Sequence, residues 1–118
     1  MLDRFADGDT TNNAGVSVTK NNGDVNEWKK YWGGDIDGLI SKLPYLKSLG
    51  VTAVVVSSMV DNTTLGYHGY WARDFYAVDE HLAKDLSKVK ALQDEMQKRI
   101  ARLNLNLRVL LQIPLCPK

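Results

Sequence analysis

The sequence predicts an α/β fold on three observations. "VTAVVVS", residues 51 to 57, and "LRVLLQI", residues 107 to 113, are short apolar runs rich in β-branched residues, as strands covered on both faces require. The segments ahead of each run carry apolar residues at helical spacing. The order is loop, helix, strand, loop, helix, strand, and two strands joined through a helix imply a parallel pair with a right-handed crossover. The reading is one domain over residues 1–118 in four parts: a loop over 1–34, helix and strand over 35–57, a long loop over 58–84, and helix and strand over 85–118.

Residues 1 to 34 are rich in Asp, Asn, Gly and Thr, and no apolar period runs through them. Asp35 then offers an N-cap, and Ile36, Leu39, Ile40, Leu43, Leu46 and Leu49 follow at helical spacing. Pro44 predicts a kink or restart inside this helix, and Gly50 its end. The stretch "GYHGYWARDFYAVDEHL" belongs to the second loop. A second helix is expected from about Asp85 to Leu103, with Leu86, Val89, Leu92, Met96, Ile100 and Leu103 as its buried stripe and Asn104 as a left-handed terminator.

Net charge is +1 with no basic or acidic block, which argues against nucleic acid and membrane surfaces as partners. No apolar run approaches the length of a membrane span. "MLDRFADGD" has no apolar core, so no signal peptide is expected. One cysteine, Cys116, rules out an intrachain disulfide and a thiolate cluster, and is expected to act as a small apolar residue near the last strand.

The densest chemistry lies in "DGDTTNN", residues 7 to 13. Asp7, Asp9, Asn12 and Asn13 supply oxygens of the kind calcium prefers, and Gly8 allows a tight turn between the two carboxylates. On the residues alone an equal reading is that they form Asx turns and cap the first helix. Asp61, Asp74, Asp79 and Glu80 have no spacing that pairs two of them for acid–base work; Asp74 and Asp79 are expected to pair with Arg73 or to cap backbone groups. His68 and His81 stand thirteen residues apart without a supporting cysteine, which is weak for zinc. Ser57, Ser58 and His68 lack the context of a nucleophile elbow. The aromatics Trp28, Tyr31, Trp32, Tyr67, Tyr70 and Trp71 suit either stacking on sugars or covering the ends of a small sheet.

"DRFADGDTTNN", "YWGGDIDGLISKLPYLKSLGVTAV" and "GYHGYWARDFYAVDEHL" occur in that order, and together they resemble the start of the alpha-amylase family of glycoside hydrolases, in particular bacterial amylases and cyclodextrin glucanotransferases. The resemblance is close from residue 3 to about residue 82 and holds in pattern beyond. It implies a fragment of a (β/α)8 barrel, from the loop after strand one to strand three, with two or three mainly parallel strands and two main helices. It implies a structural calcium held by Asp7, Asp9, Asn12, Asn13, the Gly33 carbonyl and Asp35, with Asp9 where those relatives commonly carry Asn. It implies that Tyr70 and Trp71 stack on sugar and that His68 hydrogen-bonds its hydroxyls. The family's nucleophile, acid and supporting carboxylates follow later strands, beyond Lys118, so no catalysis is expected of this chain.

The sequence also departs from the family pattern. "VVVSSMV" replaces a Trp-Ile-Ser-Pro-like stretch, "RLNLNLR" replaces a short Gly turn, and "LLQIPLCPK" has Gln112 near an expected Asp and no following His. The resulting expectation is a non-catalytic, engineered, stand-alone domain cut from such a barrel. The alternatives are part of a starch-active glycoside hydrolase and a carbohydrate-binding module. Weak α-glucan binding and self-association through exposed strands are expected.

Overall fold

The computed structural model describes residues 1–13 and 25–100, and the backbone of 102–105. The elements are α1 (Ile36–Ser48), β1 (Ala53–Val56), β2 (Val60–Asn62), β3 (Ala72–Val78), α2 (Leu86–Arg99) and β4 (Arg102–Leu105). β1 and β4 pair in parallel, from Ala53 opposite Arg102 to Val56 opposite Leu105. The crossover through a helix is thus as the sequence predicts. The expected strand 107–113 and Cys116 lie outside the described residues.

α1 begins where Asp35 caps it, with the Asp35 side chain accepting the Gly38 N–H. The helix runs from Ile36 to Ser48 through Pro44 without a restart. Leu39 and Leu43 are buried on its inner face and Pro44 points outward, so packing on one side offsets one missing backbone donor. At its end the Gly50 N–H reaches the Lys47 carbonyl at 2.9 Å and the Val51 N–H reaches the Leu46 carbonyl at 3.2 Å. With Gly50 at φ 77°, this is a Schellman close. Leu49 falls outside the buried stripe, as the exposed helix cap.

α2 is capped by Asp85, which accepts the Ser87 N–H at 2.7 Å. It ends at Arg99, not Leu103. Ile100 takes an extended backbone (φ −130°, ψ 133°), which turns its β-branched side chain into the core. Asn104 is no terminator; it lies in β4 opposite Val55. Leu86, expected on the buried stripe, is exposed in the first turn. Lys88 ties α2 to Asp37 of α1 at 2.7 Å.

Residues 58–84 contain more than a loop. β2 and β3 pair antiparallel, with Val60 opposite Val78, Asp61 opposite Asp74 and Asn62 opposite Ala72, and the register shifts between these pairs. The irregular register and the exposure of Arg73, Asp74, Phe75 and Tyr76 in succession leave no apolar alternation for a sequence reading to find. One core joins the parts. Leu2, Ile36, Leu39 and Leu43 meet Val56 and Met59, and Leu92, Met96 and Ile100 close it from α2.

Candidate functional site

The first loop is built on the N-terminus of α1. Ala6 O accepts the Asp35 N–H at 3.0 Å, and Asp3 O accepts the Gly34 N–H at 2.8 Å. The Asp35 carboxylate is fully buried and accepts four donors: Gly38 N–H at 2.6 Å, Gly8 N–H at 3.0 Å, Asp9 N–H at 2.8 Å and Asn12 Nδ2 at 3.2 Å. Four donors fill the lone-pair sites of a carboxylate. Asp35 is thus a helix cap and the floor of the loop together.

Asp7 and Asn13 lie above that floor, with Asn13 Nδ2 donating to Asp7 Oδ2 at 2.7 Å. Gly33 backs onto both. A Cβ there would stand 2.9 Å from Asn13 Oδ1 and 3.0 Å from Asp7 Oδ2, and Gly33 has φ +88°. Asn12 Oδ1 and Asn13 Oδ1 are buried and accept no hydrogen bond. Two orphaned amide oxygens beside a carboxylate are a donor set for a hard cation. Asp9 turns aside: its Oδ1 accepts from Thr11 Oγ1 at 2.5 Å and from Thr11 N–H at 3.0 Å. Those two bonds hold its carboxyl below the usual range. The structure therefore groups Asp7, Asn12, Asn13, Gly33 and Asp35, and gives the Asp9 side chain a capping task.

The second loop carries an aromatic shelf. The His68 ring stacks on Tyr70 at 5.8 Å and meets Trp71 edge-on at 4.7 Å. Tyr67 lies edge-on to His68 at 5.1 Å. His68 Nδ1 accepts the Tyr70 N–H at 3.0 Å, so Nε2 is the donor of the neutral ring. Tyr70 and Trp71 are exposed. A groove of about 520 Å³ runs along them, bordered by Ser58, Val60 and Phe75. Of the three residues expected at a sugar site, Tyr70 and Trp71 line the groove, and the half-buried His68 ring packs against both.

A third constellation, around Asp79, is one that spacing did not predict. Asp79 Oδ2 accepts from the Tyr31 hydroxyl at 3.0 Å and from Asn62 N–H at 3.2 Å. Its Oδ1 accepts from His81 N–H at 2.9 Å and lies 2.9 Å from His81 Nδ1. The Tyr31 ring stacks on His81 at 3.9 Å. Burial raises the Asp79 pKa, but the bonds from His81 and Tyr31 outweigh it and hold the carboxyl below its usual range. Burial and the Asp79 charge push the Tyr31 phenol far above its own. Asp79, Glu80 and His81 bring ligand atoms within 4.8 Å of one another, yet the Asp79 oxygens are engaged by protein donors. The adjacency "DEH" was the one visible signal; Tyr31, forty-eight residues away, gave none. Arg73 pairs with neither Asp74 nor Asp79. It grips Asp61 with two bonds, at 2.9 Å and 2.8 Å, while Asp74 accepts the Tyr76 N–H at 2.8 Å.

The family model for the alpha-amylase catalytic domain matches residues 1–109. The chain belongs to the alpha-amylase family. A cyclomaltodextrin glucanotransferase of Klebsiella oxytoca is 53% identical over 88 residues, covering 69% of this chain and 13% of that protein. Alpha-amylase 2 of Schwanniomyces occidentalis is 40% identical over 113 residues, covering 87% of this chain and 20% of that protein. The crystal structure of an Anoxybacillus alpha-amylase is similar with a TM-score of 0.75 at 40% identity, over 89% of this chain and 22% of that one. This alpha-amylase-family chain therefore spans about a fifth or less of these relatives, and its two helices and strands are a fragment of their (β/α)8 barrel.

Proposed function

We propose that this segment supplies the calcium loop and part of the α-glucan-contacting surface of an alpha-amylase-type glycoside hydrolase, and that the chain alone binds without cleaving. The observation that carries the reading is the pair of buried, unpartnered oxygens: Asn13 Oδ1, beside Asp7 and Gly33, and Asn12 Oδ1, on a side chain bonded to Asp35. Asp7, Asn12, Asn13 and the Gly33 carbonyl would hold the ion. Asp35 would join by releasing its longest bond, to Asn12 Nδ2. Bound calcium supplies positive charge that ties the loop together. Asp9 adds a negative charge nearby without entering the cradle.

The names of the relatives, alpha-amylases and cyclomaltodextrin glucanotransferases, support an α-glucan as the ligand of His68, Tyr70 and Trp71. Retaining hydrolysis needs two carboxyl groups about 5 Å apart, one kept protonated. Among the described residues, the buried carboxylates Asp3, Asp35, Asp61 and Asp79 accept bonds from protein donors, and buried Glu27 pairs with Lys30. Asp79 is moreover drawn away from protonation, the wrong direction for a general acid. The departures "VVVSSMV" and "LLQIPLCPK" support the further reading of an engineered, stand-alone domain.

The test is a thermal melt in calcium and in chelator. Free calcium at ten times Kd gives about 1.4 kcal/mol by linkage, or about 5 °C for a domain of this size. An Asn13→Leu variant is expected to lose that difference. Superimposable melts of the unaltered chain in calcium and chelator reject the cation reading. Release of reducing ends from soluble starch by the purified chain rejects the non-catalytic one.

A further inference from the structure

The shelf and the cradle are joined by one side chain that neither reading uses. Arg4 follows Asp3, whose buried carboxylate accepts the Trp32 N–H at 2.8 Å and the Gly33 N–H at 3.2 Å. The Arg4 guanidinium pairs with that same carboxylate and donates to the Trp28 carbonyl at 2.6 Å. Its Cζ lies over two rings, 4.7 Å from the Trp32 centre and 4.4 Å from the Tyr67 centre. Burial lowers its pKa from the ordinary value, as a desolvated guanidinium requires. Tyr67 in turn presents an edge to His68, the centre of the shelf.

We infer that Arg4 is a positioning residue for the sugar-contacting shelf: held by Asp3 on the side of Gly33, it fixes the Tyr67 ring and through it His68 and Trp71. The inference rests on the α-glucan reading of that shelf. The chemistry requires Arg and not merely a cation. A planar guanidinium can stack on two rings and still bond in its own plane, whereas an ammonium is a point charge that cannot do both.

Arg4→Lys and Arg4→Gln separate these demands. The chain has two histidines, so its imidazole NMR signals resolve His68 from His81, and His81 on Tyr31 serves as the internal standard. In both variants the His68 ring signals are expected to move, as Tyr67 swings away, while those of His81 stay. Maltoheptaose binding, followed by calorimetry in calcium, is expected to weaken about tenfold in both, the scale of a desolvated cation–π contact. Calcium affinity is expected to stay within about threefold of the unaltered chain. Lysine failing to rescue is the signature of a stacked plane over a simple charge. Unmoved His68 signals in Arg4→Lys overturn the proposal, whatever the sugar does. So does unaltered maltoheptaose affinity, and so does joint loss of calcium and sugar, which would make Arg4 a folding residue only. An unaltered chain that binds calcium but not maltoheptaose instead brings down the α-glucan reading beneath it.

Discussion

Asp79 shows how much one carboxylate can organise. It joins the segment before α1 (Tyr31), β2 (Asn62) and the turn after β3 (His81). Its folded pKa lies below the ordinary 3.8, so the unfolded chain takes up this proton at higher pH than the folded one. The stability it confers is present above 3.8 and is lost as pH falls through the lower folded value. Asp79→Asn is expected to lower stability by about 2–3 kcal/mol at neutral pH, the value of bonds to a charged acceptor. The gap should close in strong acid. Urea unfolding at both pH values measures it, and a gap independent of pH would show that charge is not the cause. This residue also marks a limit of sequence reading. Its backbone-capping role was foreseeable from "VDEH", but its bond to Tyr31 depends on a fold that brings distant residues together.

At the scale of elements, one glycine inside α1 and one just past its end make opposite demands. Gly38 lies in the first turn, where a Cβ would stand 1.9 Å from the Ala6 carbonyl oxygen. Alanine there gains about 1 kcal/mol of helix propensity, but the clash is with backbone and costs about 3 kcal/mol. Gly50 has φ +77° and nothing within 4 Å of a Cβ, so Gly50→Ala meets only backbone strain, about 1 kcal/mol. Denaturant midpoints should rank Gly38→Ala well below Gly50→Ala. The reverse order would mean that the first loop is not seated on the helix. Both helices were legible because their apolar spacing and their Asp35 and Asp85 caps are local signals. The β2–β3 hairpin was not, because exposed Arg73–Tyr76 and a shifting register remove the period-two pattern. The end of α2 was missed because Ile100 continues the helical spacing while its backbone turns extended. In the cradle, the oxygen-rich residues were plain to see, but not the choice Asp9 makes for Thr11 over the cage.

For the whole molecule, the exposed part of β1 sets an expectation for behaviour in solution. Val55 of β1 is 70% exposed, in a groove of about 310 Å³ lined by Met1, Leu2, Phe5 and Val51. Exposed apolar strand surface of this kind favours association between chains. Sedimentation is expected to show a species heavier than the monomer that grows with concentration, and Val55→Lys to suppress it. A monomer at all concentrations would count against the idea. A last consequence comes from the bonds that pin Asp3 and Ala6 to Gly34 and Asp35. They form a two-point clasp between the start of the chain and the approach to α1, and the Gly8 N–H adds a third tie to the Asp35 carboxylate. Trimming residues 1–6 should therefore unseat the helix cap together with the first loop.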